Sequence, residues 1–395
     1  MTIFGNSIST SSNSFSSIKT LQFVWIEAEN ISICQYSFNS CSNLNNLTIK
    51  GHFTSIENSA FYLCSNFSNI TINGHHNSIE TKTFNHCNNL TNISIFGVYY
   101  VVNKYAFYEC EGNQNLTISG QFISVLDGSF LSCKSLLRVT FEGQNVSIGS
   151  SAFKSCTNLQ NVAIKGDQIT IEKKAFYSCT LLKDIEMKGT VIWFGEFAFY
   201  SCKSIKEISI FGDVKSFGFK SFYYCINLLN LSIHGSVGLI GEEAFSSCSN
   251  LKCISFYDNV KFIGKSAFYQ CFSLIYVSYL GTKSPSYSDL VFADSLVGSV
   301  NVVNNYEDTN FCSYSISFLP FSHFTPSDTF SKSDGITPTN ANKKKLTTVI
   351  IVISVIFAVL IMIIAIIVII NSYKRNISNN ILITAQDDSY AEYLL

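Results

Sequence analysis

Apolar and polar positions follow one another along this chain in a pattern that returns every 23 residues. Its anchor is a phenylalanine, at Phe38, Phe61, Phe84 and onward without a slip to Phe268, with a cysteine three places behind each, from Cys41 to Cys271. A leucine comes three places later in most copies (Leu44, Leu90, Leu136, Leu159), then two aliphatic positions separated by one residue, such as Leu47 and Ile49 or Ile208 and Ile210. Spacing of two predicts a strand with one buried face, and the small polar residue between (Thr48, Ser94, Thr140, Ser255) belongs to the wet face. A period held over eleven copies means that each unit is one coil whose apolar side chains are buried only by stacking on the next, so the chain is predicted to be a solenoid.

The remaining columns complete the coil. A glycine follows the strand in nearly every copy (Gly51, Gly74, Gly97, Gly120), which predicts a tight turn with positive φ. A further apolar column (Ile33, Ile56, Ile79, Val102) predicts a second short extended segment. Small residues such as Ala60, Ala106 and Ala152 stand just before the phenylalanine, and the stretch from there to the leucine predicts a single helical or 3₁₀ turn that reverses the chain. With parallel strands pairing at about 4.8 Å, eleven coils rise roughly 50 Å.

Departures from the pattern divide the chain. Phe15, Leu21 and Ile26 keep the frame one coil earlier with Ile18 in the cysteine place, so 1–37 reads as degenerate N-terminal repeats and 38–281 as the regular array. From 282 to 319 the cysteine and glycine columns lapse while short apolar strands persist, as expected of a C-terminal cap. Residues 320–345 form a polar linker rich in Pro, Ser and Thr, 346–370 carry no charge, and 371–395 are a short tail. The uncharged stretch is long enough for a single transmembrane helix. Lys343, Lys344 and Lys345 before it and Lys374 and Arg375 after it leave the positive-inside bias nearly even, and no apolar N-terminal segment resembles a signal peptide.

A formal net charge of −1 with 13% charged residues gives no reason to expect nucleic acid as a partner. The cysteines of the repeat column occupy the same buried place in successive coils and are expected to be free thiols, packed as small apolar side chains and donating weakly to the adjacent turn. Cys34, Cys253 and Cys312 fall outside that column. Nine N-x-S/T sequons precede the uncharged stretch, most arising because Asn stands before the aliphatic and Ser/Thr columns.

The repeat I-x-x-x-A-F-x-x-C-x-x-L-x-x-I-x-I-x-G resembles the leucine-rich repeats of BspA-like surface proteins over about Ile3 to Phe318. The resemblance implies a cell-surface adhesin or antigen that binds host proteins, matrix or other microbes through its repeat face. Its protist-type members end in a polar linker, one transmembrane helix and a short tail, the order seen here.

No catalytic, cofactor or metal site is expected. The six histidines share no offset with a carboxylate and a nucleophile, and the glycines are solitary rather than clustered into a phosphate loop. His75 and His76 beside Glu80 and His86 can be drawn as a metal site, but solvated turn residues account for them. The functional candidates lie in a variable outward column just after the second strand position: Phe96, Lys165, Lys188, Phe211, His234 and Tyr257 are the candidate ligand-binding residues. In the tail, Tyr390, Leu394 and Leu395 are candidates for endocytic sorting. The expected function is a non-enzymatic, membrane-anchored protein at the cell surface, with its repeats outside, that adheres to protein ligands. The alternative is a tail-anchored cytosolic scaffold that gathers intracellular partners.

Overall fold

The structure, a computed structural model, describes residues 1–319 apart from residues 111 and 113. The expected linker, transmembrane helix and tail, with Tyr390, Leu394 and Leu395, lie outside the described residues. Among the described residues no helix is long and apolar enough to cross a membrane.

The described residues wind as a parallel β-solenoid of about 13 turns with coils of about 23 residues and, among them, no helix. Strands of successive coils pair in register one period apart, so that Leu47 lies beside Ile70, Ile70 beside Ile93 and Ile93 beside Leu116. Both apolar columns of the strand and the later column at Ile33, Ile56 and Ile79 point inward and are buried. Phe15, Phe38, Phe61 and their successors stack ring on ring to Phe292, with centroids 4.8–5.4 Å apart and planes within 19° of parallel. Each such pair adds about 0.5–1.5 kcal/mol beyond its buried area.

The reversing stretch differs from the expected helical or 3₁₀ turn. Ser37, Asn39 and Cys41 donate their N–H groups three residues back, to Cys34, Tyr36 and Phe38, while the alternate N–H groups of Phe38 and Ser40 donate to Ala60 and Tyr62 of the next coil. With every second donor committed to the neighbouring coil, no helical ladder can propagate. The chain instead makes successive tight turns, with left-handed residues at Tyr36 and Ser40 and at their equivalents, Ser59 and Leu63 or Lys82 and His86. Left-handed conformation costs a non-glycine residue about 1–2 kcal/mol, a cost offset here by hydrogen bonds between coils.

The glycine column also departs from expectation. The strands Asn46–Ile56 and Asn69–Ile79 run straight through Gly51 and Gly74, so the chain bends without stopping. In this column only Gly97 and Gly212 adopt positive φ, at 155° and 136°. Space explains the rest: a Cβ on Gly74 would lie 2.1 Å from the carbonyl oxygen of Gly51 in the preceding coil.

All fourteen cysteines are free. From Cys41 to Cys271, each thiol of the repeat column donates to the carbonyl of the phenylalanine one coil earlier, as Cys64 does to Phe38 at 3.0 Å and Cys156 to Phe130 at 3.2 Å. Burial pushes the Cys110 and Cys156 thiols up to about 12, which keeps them protonated donors. Where Ser37, Thr83 or Ser129 replaces the small alanine, its hydroxyl donates to the carbonyl three residues back.

After Gly281 the cysteine column ends but the stacking does not. Phe292 sits 24 residues after Phe268, one more than the period, and still stacks on it at 5.4 Å, tilted by 19°. The left-handed positions shift by the same single residue, to Leu290 and Asp294.

Candidate functional site

The variable outward column is set by the alternation of the first strand segment, whose buried neighbours hold each residue in place. Lys165, Lys188 and Phe211 are neighbours in the sheet register. His234 follows in the next coil, stacked on Phe211 with centroids 4.4 Å apart, and Tyr257 stacks on His234 at 4.1 Å. Five of the six candidates therefore form one continuous row over five coils. Phe96 stands apart, flanked by Asn73 and Ser119. Phe211 and Tyr257 remain 47% and 38% exposed, and partial burial lowers the pKa of His234, favouring the neutral ring at physiological pH.

The lysines bring charge to one end of this row. Lys188 pairs with Glu186 at 2.8 Å, an interaction that holds the Glu186 carboxyl below its ordinary range. Lys165 and Lys188 line a shallow groove of about 500 Å³ together with Glu142, Asp167 and the glycines of four coils. The row thus presents a rigid aromatic end and a mixed-charge end, with no enclosed pocket.

The metal drawing does not assemble. His86 faces Glu109 at 3.9 Å, Glu80 accepts from Ser78, and His75 and His76 meet His52 instead. Among the described residues no group of three or more His, Cys, Asp or Glu is arranged to hold a metal ion.

A second outward surface is absent from the sequence reading. Residues just past the glycine lie in the sheet and not in a solvated turn as expected for His76: Phe53, His76, Tyr99 and Phe122 form a stacked row at 5.0, 4.7 and 4.8 Å. Beside it runs a row of small side chains, Ser32, Ser55, Ser78, Val101, Ser124 and Ser147. Between the rows lies a shallow groove in two contiguous stretches of about 460 and 370 Å³ that share Tyr99 and Val101. The alignment signal existed, two places after each glycine, but Phe, His and Tyr share no single polar or apolar label.

The sequons also acquire a structure. Asn69 donates its side-chain amide to Asn46, Asn92 to Asn69 and Asn115 to Asn92, at 2.9–3.1 Å, forming an exposed amide ladder.

The family described as BspA type Leucine rich repeat region (6 copies) matches residues 8–136, 100–229, 169–297 and 215–336. No curated protein matches. Among solved structures, a leucine-rich repeat protein from Bacteroides ovatus is 22% identical with a TM-score of 0.42, over 74% of this chain and 88% of its own. The T. pallidum leucine-rich repeat protein is 23% identical with a TM-score of 0.33, over 40% of this chain and 77% of its own. A leucine-rich cell surface protein from Faecalibacterium prausnitzii is 18% identical with a TM-score of 0.28, over 69% and 83%. The family matches together span most of the sequence, and the chain belongs to the BspA-type leucine-rich-repeat proteins.

Proposed function

We propose that this chain is a non-enzymatic, membrane-anchored protein of the cell surface, with its repeats outside, that adheres to proteins on host cells, matrix or other microbes. Leucine-rich repeat proteins typically bind proteins. The observation that carries the proposal is the exposed Phe211, His234 and Tyr257 stack continuing into Lys188 and Lys165. Rigid aromatic side chains in fixed order lose little entropy on binding, and aromatic anchors dominate interface energies. The uncharged stretch 346–370 supplies the anchor, and the tail with Tyr390, Leu394 and Leu395 supplies sorting.

Two measurements test it. Protease applied to intact cells should remove the repeats, and their protection until membranes are broken overturns surface display. Phe211→Ala combined with Tyr257→Ala should weaken capture of cell-surface or matrix proteins by roughly tenfold or more. Undiminished capture would move the binding face elsewhere.

A further inference from the structure

The groove beside Phe53, His76, Tyr99 and Phe122 calls for a different occupant from the row just described. Its lining, from Ser7 through Thr170, contains no Asp, Glu, Lys or Arg, and the nearest carboxylate, Glu80, is engaged by the hydroxyl of Ser78. A separate shallow groove of the same solenoid holds Glu142, Lys165, Asp167 and Lys188, and a charged stretch with Glu172, Lys173 and Glu196 takes over where the uncharged lining ends at Gln168 and Thr170. An uncharged path across successive coils offers nothing to compensate the charge of a polyanion or of a charged peptide.

The repeat distance narrows the choice. Groups lining the groove recur once per coil, and the stacked rings fix that interval at 4.7–5.0 Å. An extended peptide laid along the solenoid axis would present same-side chains about every 6.7 Å, and so would fall out of step within two coils. Its backbone could not join the sheet either, because strand N–H and C=O groups already pair between coils. A linear chain of β-1,4-linked pyranose units advances by nearly the interval of the coils, and because successive units are turned over, equivalent groups return at every second coil and stay in step. Each unit presents hydroxyls that can exchange hydrogen bonds with the serine row and with Asn145 and Gln168, and C–H faces and edges that can lie against the aromatic row.

We propose that this face binds a neutral, linear β-linked polysaccharide laid along the solenoid axis, one sugar per coil. The sugar chain runs from the coil of Asn30 past Tyr99 toward that of Gln168, with the ring row as one wall and the serine row as floor. His76 is part of the wall and is neutral at physiological pH, since burial and the neighbouring His75 and His52 lower its pKa.

The test is calorimetric titration of the full chain with cello- and chito-oligosaccharides of increasing length, alongside dextran sulfate and an uncharged extended peptide. Affinity should rise with each added sugar until the groove is filled, and Tyr99→Ala should weaken the longest oligosaccharide by about tenfold or more. If Tyr99→Ala perturbs folding, Ser55→Asp, at a part-exposed position of the floor, should give the same loss with an unchanged thermal melt. Phe211→Ala should leave sugar binding unchanged, which separates this site from the protein-binding row. Absence of binding to either oligosaccharide, affinity independent of length, equal binding by Tyr99→Ala and Ser55→Asp, or preference for the sulfated polymer or the peptide would each overturn the proposal.

Discussion

Phe153→Ala tests the stacked core most directly. Phe153 is fully buried and lies between Phe130 and Phe176, each 5.1 Å away and within 5° of parallel, with Phe141 edge-on at 6.0 Å. Truncating a buried Phe costs about 3–5 kcal/mol, and losing two stacked neighbours places this site toward the top of that range. The backbone carbonyl of residue 153 survives the change, so the thiol of Cys179 keeps its acceptor and the loss is confined to packing. Phe15 has one stacked partner, Phe38 at 5.0 Å, and is only partly buried, so Phe15→Ala should cost less than half as much. Urea unfolding followed by far-UV circular dichroism measures both. Because coils bury their apolar faces only on their neighbours, a break at Phe153 should also split the melt into two phases, one for each flank. Equal losses from Phe153→Ala and Phe15→Ala, or a loss of the same size from Thr140→Asp on the wet face, would refute the assignment of inside and outside.

Other perturbations address the turns, the thiols and the histidines. Gly74→Ala should destabilise by about 2–4 kcal/mol because the new Cβ meets the Gly51 carbonyl, whereas Gly298→Ala, with nothing within 4 Å, should be neutral or stabilise by up to about 1 kcal/mol in the same urea assay. The folded Cys110 and Cys156 thiols stand at about 12 against an ordinary 9.0. The unfolded chain therefore releases protons first, and stability that is complete below pH 9 should decline as pH rises from there toward 12, as urea midpoints across that range would report. Native protein treated with a thiol-alkylating reagent should be modified at the part-exposed Cys34 and Cys253 and spared along the buried column, as peptide mass mapping would reveal. His76 is held below the ordinary 6.5, so its support for the fold is complete above that value and should fade as acidification protonates the unfolded chain first; a histidine NMR titration should place its midpoint below 6.5.

The columns that bury side chains were legible because they are chemically uniform. Phenylalanine and cysteine recur unchanged from Phe38 to Cys271 and the paired strand positions stay aliphatic or aromatic in nearly every coil, and the fate of the thiols followed from stacking alone. The turns were not legible, since left-handed backbone is usually announced by glycine and here falls on Ser40, Leu63, Lys82 and Tyr105. Ser40 and Leu63 are stabilised by donating their N–H groups to carbonyls of the next coil, Tyr62 and Asn85, which local propensity does not reveal. The glycine column misled for the opposite reason: Gly51 and Gly74 are required by a neighbouring carbonyl rather than by their own torsion angles. That error moved His76 and its aromatic partners from strand to loop and hid the second groove. Phe211, His234 and Tyr257 became candidates because an outward column was followed through unlike residues, and their stacking needed coordinates.

Adjacent coils are sewn together in both directions, by turn amides donating forward and thiols donating backward. Such a seam makes length a quantised property. A gene segment encoding one full circuit can be duplicated or lost with both flanks still matching, while an insertion of another size must be taken up within its own coil, where the thiol that spans it would miss its carbonyl. The single extra residue before Phe292 falls where the thiols have already ceased, which marks the boundary beyond which the ruler no longer applies. Variants of this protein in nature should therefore differ in length by whole coils.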